Sequence, residues 1–302
     1  MKILYVGKFK RPNATEHSVA RGFTALGHNV AKFDYTVLDS NKLLGEASTF
    51  HDLVLFSKSI NVSLETIKKI KTKKAMWIFD GLRITDPNKL RSDGKPILER
   101  AKLMNVLFTV SHGDLKIYRE FGCNAKWLPQ AVDETIYKHH PIPRNLDLVF
   151  VANQNGDFRK SFIKKLRAKK FKVNVFGGNW GIPNNGSIPE HEAPKIYSRA
   201  KIALGMGESN LQFDQFSKRV WVALGSRTVL LHKHTPSLLK IFKNWEHLVL
   251  WRDEQECHKF ANKILNNPAL AKSIANSGYK FVHKNHTYKH RAIKMLAEMG
   301  KI

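Results

Sequence analysis

The feature that most constrains the fold is an alternation of short apolar runs with amphipathic helical stretches, repeated in both halves of the 302-residue chain. In the first half, apolar runs such as residues 2–6, 51–57 and 75–79 alternate with segments of helical periodicity. Strands separated by helical segments of about 10–15 residues are typical of βαβ units, which build parallel sheets. The alternation therefore predicts an α/β protein with doubly wound, Rossmann-like sheets.

A proline-containing connector, HHPIP at 139–143, interrupts this alternation. Proline cannot join a central strand or a helix interior, and a second series of strands and helices begins at Asp147. We therefore predict two Rossmann-like domains facing a cleft, an N-terminal domain over 1–140 and a C-terminal domain over 145–285. A closing helix over 286–302 is expected to pack back on the N-terminal domain.

The net charge of +26 is the outlying value of the composition, and the excess of lysine and arginine is spread over both halves. Charge of this size attracts polyanions, either nucleic acid or an anionic membrane surface. No apolar run approaches the roughly 18 residues that a membrane-spanning helix needs. Cys123 and Cys257 are the only cysteines, which excludes a disulfide framework and a cysteine-based zinc site. A cytoplasmic location is expected.

The stretch Asp214–Pro236 (DQFSKRVWVALGSRTVLLHKHTP) predicts a basic turn, then a helix, then a buried strand. Ser217, Lys218 and Arg219 fall at the start of this helix. Free backbone N–H groups and the helix dipole favour an anion there, and two cationic side chains indicate a phosphate or a diphosphate.

Other candidate residues follow predicted strands, because ligands of open α/β sheets bind beyond the carboxyl ends of the strands. Arg159 suits phosphate, Trp180 a stacked base, and Glu208 the hydroxyl groups of a sugar. Gly7 and Asp80 end strands of the first half. The alternatives are a solvated arginine, a packing tryptophan, and an Asp80 that only caps a turn.

Two negative observations narrow the chemistry further. Neither half contains GxGxxG or GxxxxGK[ST], which disfavours a dinucleotide-dependent dehydrogenase and a Walker-type ATPase. His283, His286 and His290 have the spacing of one helical face, but lysine and arginine side chains lie between them. Positive charges oppose a bound cation, so we interpret this face as a basic surface that contacts a polyanion and predict no metal site.

Four segments of the second half resemble GT-B glycosyltransferases, specifically the CgeB-like group named for spore-maturation proteins. They are FVANQNGDFRKSFIKKL (150–166), FGGNWG (176–181), FSKRVWVALGSRTVLLHKHTPSLLKIF (216–242) and GYKFVHKNHTYKHR (278–291). The opening strand and helix resemble the same enzymes more weakly. The resemblance implies transfer of a sugar from a nucleotide sugar, with a UDP-sugar favoured and no obligatory metal.

The resemblance also implies roles for the candidate residues. The second domain would hold the donor and the first domain the acceptor, with Arg159, Lys218 and Arg219 neutralising the diphosphate of the donor. Further donor contacts are expected from Ser217, Trp180, Glu208 and Gly7. The candidate catalytic residues are Asp80, Asp214 and His17, with Asp80 orienting an acceptor hydroxyl or acting as a base.

Two glutamates frame the donor in the broader glycogen-synthase-like families. Aligned on the helix, Asp214 occupies the first of these positions and Val222 the second. The chain therefore departs from the family at the usual ribose contact, and Glu208 is a candidate replacement.

The acceptor is inferred from charge. Hydroxylated (hydroxymethylpyrimidine-type) bases of phage DNA explain the excess of lysine and arginine most directly, because phosphate contacts supply affinity and a base can be flipped into a pocket. A peripheral glycosyltransferase that acts on a lipid-linked or envelope acceptor is the alternative, although no Trp- or Phe-rich amphipathic helix supports it. An inactive module that only binds nucleic acid is the third hypothesis, and no protein partner is evident.

Overall fold

The computed structural model describes residues 1–12, 14–36, 40–83, 89–154, 157–207 and 214–300. The chain forms two compact units. Unit 1 comprises Met1–Gln130, Phe213–Gln215 and Tyr288–Ile302, and unit 2 comprises Ala131–Gln212 and Phe216–Thr287. Each unit is an α/β structure built on a parallel sheet, as the alternation predicts.

In the described part of the chain, six parallel strands form the sheet of unit 1 and five form that of unit 2. The strands of unit 1 are β1 (Lys2–Gly7), β2 (Asn29–Asp34), β3 (Leu53–Phe56), β4 (Lys74–Ile78), β5 (Val106–Thr109) and β6 (Ala125–Trp127). Those of unit 2 are β7 (Leu146–Val151), β8 (Val173–Phe176), β9 (Ala200–Gly205), β10 (Val229–Lys233) and β11 (Val249–Trp251). Their orders are β2-β1-β3-β4-β5-β6 and β11-β10-β9-β7-β8.

Helices cover the sheets. In chain order they are α1 (Thr15–Thr24), α2 (Ser40–Ala47), α3 (Leu64–Lys69), α4 (Gly94–Ala101), α5 (Leu115–Glu120), α6 (Asp157–Ala168), α7 (Ala193–Arg199), α8 (Arg219–Gly225), α9 (Pro236–Leu239), α10 (Glu254–Leu265), α11 (Pro268–Asn285) and α12 (Tyr288–Glu298). The inner strands are largely apolar because helices cover both faces of a parallel sheet. In β3, for example, all four side chains are buried.

Helix α12 belongs to unit 1, where it packs against α1. Gly22 of α1 permits the close approach, since a Cβ atom at this position would lie 2.5 Å from the carbonyl oxygen of Tyr288. Arg291 of α12 is buried and donates hydrogen bonds to the carbonyl oxygens of Pro129 (2.7 Å) and Gln130 (3.1 Å). Burial lowers the pKa of Arg291 to about 10, so the guanidinium group still carries its charge at neutral pH.

The break between α11 and α12 corrects one interpretation of the sequence. His283 lies in α11, His286 ends that helix, and His290 lies in α12. The three histidines therefore do not share one helical face. Within the described ranges, no three His, Cys, Asp or Glu side chains come together in a way that would hold a metal ion. Among the described helices, none combines the length and the apolar character that a bilayer-spanning segment requires.

Candidate functional site

Two arginines converge at the carboxyl edge of the sheet of unit 2. Arg219, the first residue of α8, donates hydrogen bonds to the carbonyl oxygens of Val151 (2.8 Å) and Met206 (3.2 Å). Arg159, in the first turn of α6, donates to the carbonyl oxygens of Gly207 (2.9 Å) and Met206 (3.4 Å). Because β7 and β9 are neighbours, their ends bring the two guanidinium groups to the same carbonyl oxygen of Met206.

An aromatic ring supports both arginines. The guanidinium carbons of Arg219 and Arg159 lie 4.8 Å and 5.8 Å from the centre of the Phe150 ring. Arg159 is only 4% exposed. The backbone hydrogen bonds orient the guanidinium groups but go to neutral carbonyl oxygens, so these bonds do not cancel either charge. Such a pair is suited to bind an anion with several oxygens, because guanidinium groups form strong charge-assisted hydrogen bonds.

The surroundings of Arg219 keep a neighbouring histidine neutral. Burial, together with the charge of Arg219, lowers the pKa of His232 from 6.5 to about 4, against the opposing effect of its hydrogen bond to the Lys233 carbonyl oxygen. Burial raises the pKa of Tyr197 to about 12, although the charge of Arg219 opposes this shift. His232 and Tyr197 are therefore uncharged at neutral pH. Of these three neighbouring side chains, Arg219 carries the positive charge.

Lys218 has a different environment from the two arginines. Its ammonium group forms an ion pair with Glu190, and the hydroxyl of Tyr137 donates to the same carboxylate oxygen. The Lys218 ammonium also lies 5.4 Å from the centre of the Tyr137 ring. The Glu190 carboxylate therefore offsets the positive charge of Lys218, which the sequence predicts to neutralise a diphosphate. Sequence patterns give no signal for Glu190, because a pair separated by 28 residues leaves no local pattern.

Other residues predicted for the donor have separate positions. Ser217 Oγ lies 3.4 Å from Nη1 of Arg219. Trp180 is 1% exposed, donates its Nε1–H to the Ala152 carbonyl oxygen (2.8 Å) and packs edge-on against Phe150. Its ring presents no free face for a base, so Trp180 is a packing residue beneath the arginines. Glu208 lies outside the described residues.

Asp214 lies in unit 1 and outside α8, with a left-handed backbone conformation (φ 50°). Its carboxylate lies 2.7 Å from Nδ1 of His112, and its backbone carbonyl accepts a hydrogen bond from Gly113 N–H (3.3 Å). With the carboxylate ionised, Nδ1 carries the proton and Nε2 keeps its lone pair. A histidine held in this way has the arrangement of a general base. Sequence patterns do not single out His112, because its partner is 102 residues away.

The remaining unit 1 candidates follow β1 and β4. A Cβ atom on Gly7 would lie 2.6 Å from Cγ of Glu16, so the glycine makes room for this buried carboxylate. Glu16 accepts a hydrogen bond from Ser57 Oγ (2.9 Å). His17 is half-buried, with Nε2 3.0 Å from the Phe9 carbonyl oxygen.

Asp80 follows β4 at the carboxyl edge of the unit 1 sheet. Its side chain is 48% exposed and pairs with Lys58 Nζ at 3.2 Å. Lys58 also contacts Asp93, so one ammonium group is shared by two carboxylates. The exposure of Asp80 makes this carboxylate accessible to an acceptor molecule. The structure therefore brings Arg159, Arg219 and Ser217 together in unit 2, whereas Asp80, Asp214 and His17 lie at three separate places of unit 1.

Comparisons with known proteins bear on the family and on the fold of the chain. Residues 159–297, somewhat less than half of the chain, match a family described as glycosyl transferase-like. A search of the curated proteins finds no match. Among solved structures, the chain is similar to Anabaena Alr3699/HepE in complex with UDP and glucose, at 11% identity and a TM-score of 0.75, covering 98% of this chain and 99% of that one.

Two further likenesses also extend over the whole chain. Sucrose-phosphate synthase from Thermosynechococcus elongatus has 10% identity and a TM-score of 0.76, covering 100% of this chain and 98% of that one. The T4 phage β-glucosyltransferase has 16% identity and a TM-score of 0.62, covering 99% and 98%. A β-glucosyltransferase structure described as that of a DNA-modifying enzyme has 15% identity and a TM-score of 0.65, covering 99% and 100%.

At such identities the structural likeness establishes the fold, which is GT-B. The family match establishes a glycosyltransferase-like sequence from Arg159 onward. Together they confirm the predicted resemblance to GT-B glycosyltransferases, while the CgeB-like subgroup is not distinguished by these comparisons.

The buried histidine beside Arg219 predicts a pH dependence of stability. Between pH 6.5 and 4 the unfolded chain takes up a proton at His232 that the folded chain does not, so stability falls as the pH is lowered through this range. From pH 7 to pH 5 the wild-type protein should lose about 2 kcal/mol more unfolding free energy than His232→Asn, measured by urea unfolding.

His191→Asn is the control for this measurement, because the His191 side chain is 70% exposed. It should lose stability in parallel with the wild-type protein. An equal loss in wild type and His232→Asn would contradict the assignment of a neutral buried histidine beside Arg219.

Proposed function

We propose that this GT-B protein transfers a sugar from a nucleotide sugar, with a UDP-sugar as the favoured donor, to hydroxylated pyrimidine-type bases of DNA. The observation that carries the transfer is the convergence of Arg159 and Arg219 on the carboxyl edge of the unit 2 sheet. Ligands of open α/β sheets bind at this edge, and two guanidinium groups match a diphosphate in charge and geometry. Support comes from HepE, which has been solved with UDP and glucose.

Arg159 and Arg219 stabilise the leaving group, which is UDP. As the bond between the sugar and the diphosphate breaks, its electron pair and negative charge pass to the terminal phosphate oxygen of UDP. Arg159 and Arg219 are anchored on backbone carbonyl oxygens before the donor arrives. Pre-oriented charges stabilise the developing charge without reorganising during the reaction. Lys218 remains paired with Glu190 in this proposal and holds the start of α8 instead of contacting the phosphates.

The proton of the acceptor hydroxyl needs a base, and unit 1 supplies candidates. His112 Nε2 accepts the proton while Asp214 stabilises the resulting imidazolium through Nδ1. The hydroxyl oxygen then bonds to the anomeric carbon as UDP departs. Asp80, an exposed carboxylate, orients the acceptor hydroxyl in this scheme. His17 is held at the Phe9 carbonyl oxygen and lines the end of β1.

A DNA acceptor is supported by two observations. The net charge of +26 favours a polyanion, and lysine–phosphate contacts give affinity that falls steeply with salt. A DNA-modifying β-glucosyltransferase shares the fold along the whole chain. Phosphate contacts would position the duplex, and a flipped base would present its hydroxyl group.

Arg219→Ala should lower kcat/KM for sugar transfer by about 100-fold or more, the loss expected when one donor to a developing negative charge is removed. Calorimetry should show weaker UDP binding. Lys116→Ala removes an equal charge from a side chain that is 84% exposed, and it should transfer sugar at the wild-type rate. Circular dichroism and thermal unfolding establish that both variants are folded. Wild-type turnover by folded Arg219→Ala would rule out this diphosphate site.

The proposed base predicts a separate kinetic signature. Asn tolerates the left-handed backbone of residue 214, so Asp214→Asn removes the carboxylate charge with little change of conformation. Asp214→Asn and His112→Gln should each lower kcat by about 100-fold to 10,000-fold, because general base catalysis typically accelerates a reaction by a factor of this size. The Kd for UDP should stay unchanged in both. Loss of UDP binding with unchanged kcat would contradict the role of base.

The acceptor is tested by release of nucleoside diphosphate from UDP-, GDP- and TDP-sugars, with and without hydroxymethylated duplex DNA. We expect release from a UDP-sugar that depends on the modified DNA and is suppressed by added salt. Unmodified DNA of the same sequence is the matched control. Activity that requires a lipid extract and ignores DNA would favour a membrane-bound acceptor. Salt-sensitive DNA binding without any turnover would identify an inactive nucleic-acid-binding module.

A further inference from the structure

Unit 2 contains a cavity of about 500 Å³ at the amino edge of its sheet. Arg144 precedes β7, Lys201 is the second residue of β9 and Val229 begins β10, and all three line the cavity. Since the strands are parallel, their starts share the edge opposite to the one where Arg159 and Arg219 meet. The cavity is therefore distinct from the proposed donor site, and a ligand bound in it would be independent of the proposed function.

One side of the cavity is cationic. Arg144 donates hydrogen bonds to the carbonyl oxygens of Ala200 and Arg227, which hold its guanidinium group beside that of Arg227. Burial and the charge of Arg227 lower the pKa of Arg144, the direction expected when two cations face each other. Lys201, which pairs with Asp147 at 2.6 Å, and Lys272 add to this side. The described lining includes no aspartate or glutamate.

A histidine adds an unsatisfied polar atom to this side. Nδ1 of His139, a residue of the cavity wall, is buried and has no hydrogen-bond partner among the described residues. Buried polar atoms of folded proteins almost always have a partner, so this nitrogen has hydrogen-bonding capacity that the described residues leave unused.

A second, mainly apolar part of the lining comes from the end of α10 and the start of α11. Its side chains are those of Ile264, Leu265, Pro268, Ala271 and Ala275. Lys272 and Asn276 also belong to α11, and Asn276 Oδ1 accepts a hydrogen bond from Nε of Arg227, so the cationic and apolar parts of the lining adjoin. A ligand that satisfies both sides therefore needs an anionic head and an apolar body.

The backbone at Arg227 supports a role for its side chain. Arg227 follows α8 with φ 61°, and its N–H donates to the Leu224 carbonyl oxygen at 3.0 Å. Helix ends of this type favour glycine, because the left-handed conformation strains residues with a side chain. Arginine at this position costs stability and places a second guanidinium group in the cavity wall. Strained residues of this kind concentrate at binding sites.

We propose that the cavity binds an amphiphilic organic anion, a carboxylate or phosphate head attached to an apolar chain or ring. The head lies against Arg144 and Arg227, whose guanidinium forks match either group. The apolar body lies on the α10–α11 side. The volume of about 500 Å³ is in the range of small-molecule sites.

Calorimetric titration of the full chain with decanoate and with decyl phosphate tests the ligand class and distinguishes the two head groups. At least one of them should bind with saturation at one molecule per chain. Decanol, which lacks the charge, and inorganic phosphate, which lacks the apolar body, should bind at least tenfold more weakly. Equal binding of decanol or of inorganic phosphate would overturn the proposal, and so would displacement of the amphiphile by UDP.

Two variants locate the site. Arg227→Gly removes a guanidinium group from the cavity while relieving the strained backbone, so the melting temperature should hold or rise while affinity falls at least tenfold. Ala271→Leu fills apolar space without changing charge and should also weaken binding. Lys116→Ala, an exposed change in unit 1 with the same loss of charge as Arg227→Gly, should bind like the wild-type protein. Unchanged affinity in the first two variants, or an equal loss in Lys116→Ala, would refute the site.

Discussion

The hydrogen bonds from Arg159 and Arg219 to backbone carbonyl oxygens are the interaction on which the candidate site depends. They exist because β7 and β9 are parallel neighbours, so that Val151 at the end of β7 and Met206 just after β9 lie at the same edge of the sheet. Backbone acceptors orient a guanidinium group without neutralising it, whereas a carboxylate does both. The same unit contains both cases, since Lys218 is paired with Glu190.

The positive charge of unit 2 is organised at both edges of its sheet. At the carboxyl edge, Arg159 and Arg219 are stacked over Phe150 and surrounded by polar backbone. At the amino edge, Arg144 and Arg227 line a cavity whose remaining lining is mainly apolar. The first environment suits a compact, highly charged group and the second an amphiphile. The net charge does not distinguish the two sites, because the polar or apolar residues around each arginine pair determine which kind of anion can bind there.

The sequence predicts the α/β class, the parallel sheets and the location of cations at strand ends, because periodicity and strand-end chemistry are local properties. It predicts Arg159 and Arg219 for the same reason. It does not predict the roles of Lys218 and Trp180. Lys218 meets Glu190 only after the loop that follows β8 folds back, and Trp180 is drawn into the core by hydrophobic burial and a hydrogen bond to Ala152. Both outcomes depend on contacts between residues distant in sequence.

By itself the sequence determined the two-unit α/β chain and a basic helix start at Ser217–Arg219. Only the tertiary structure decided what the neighbouring acid does. Asp214 is three residues before Ser217, yet it belongs to unit 1 and holds His112 through a left-handed backbone turn. Local pattern cannot reveal such a pairing, because the two partners are 102 residues apart in the sequence.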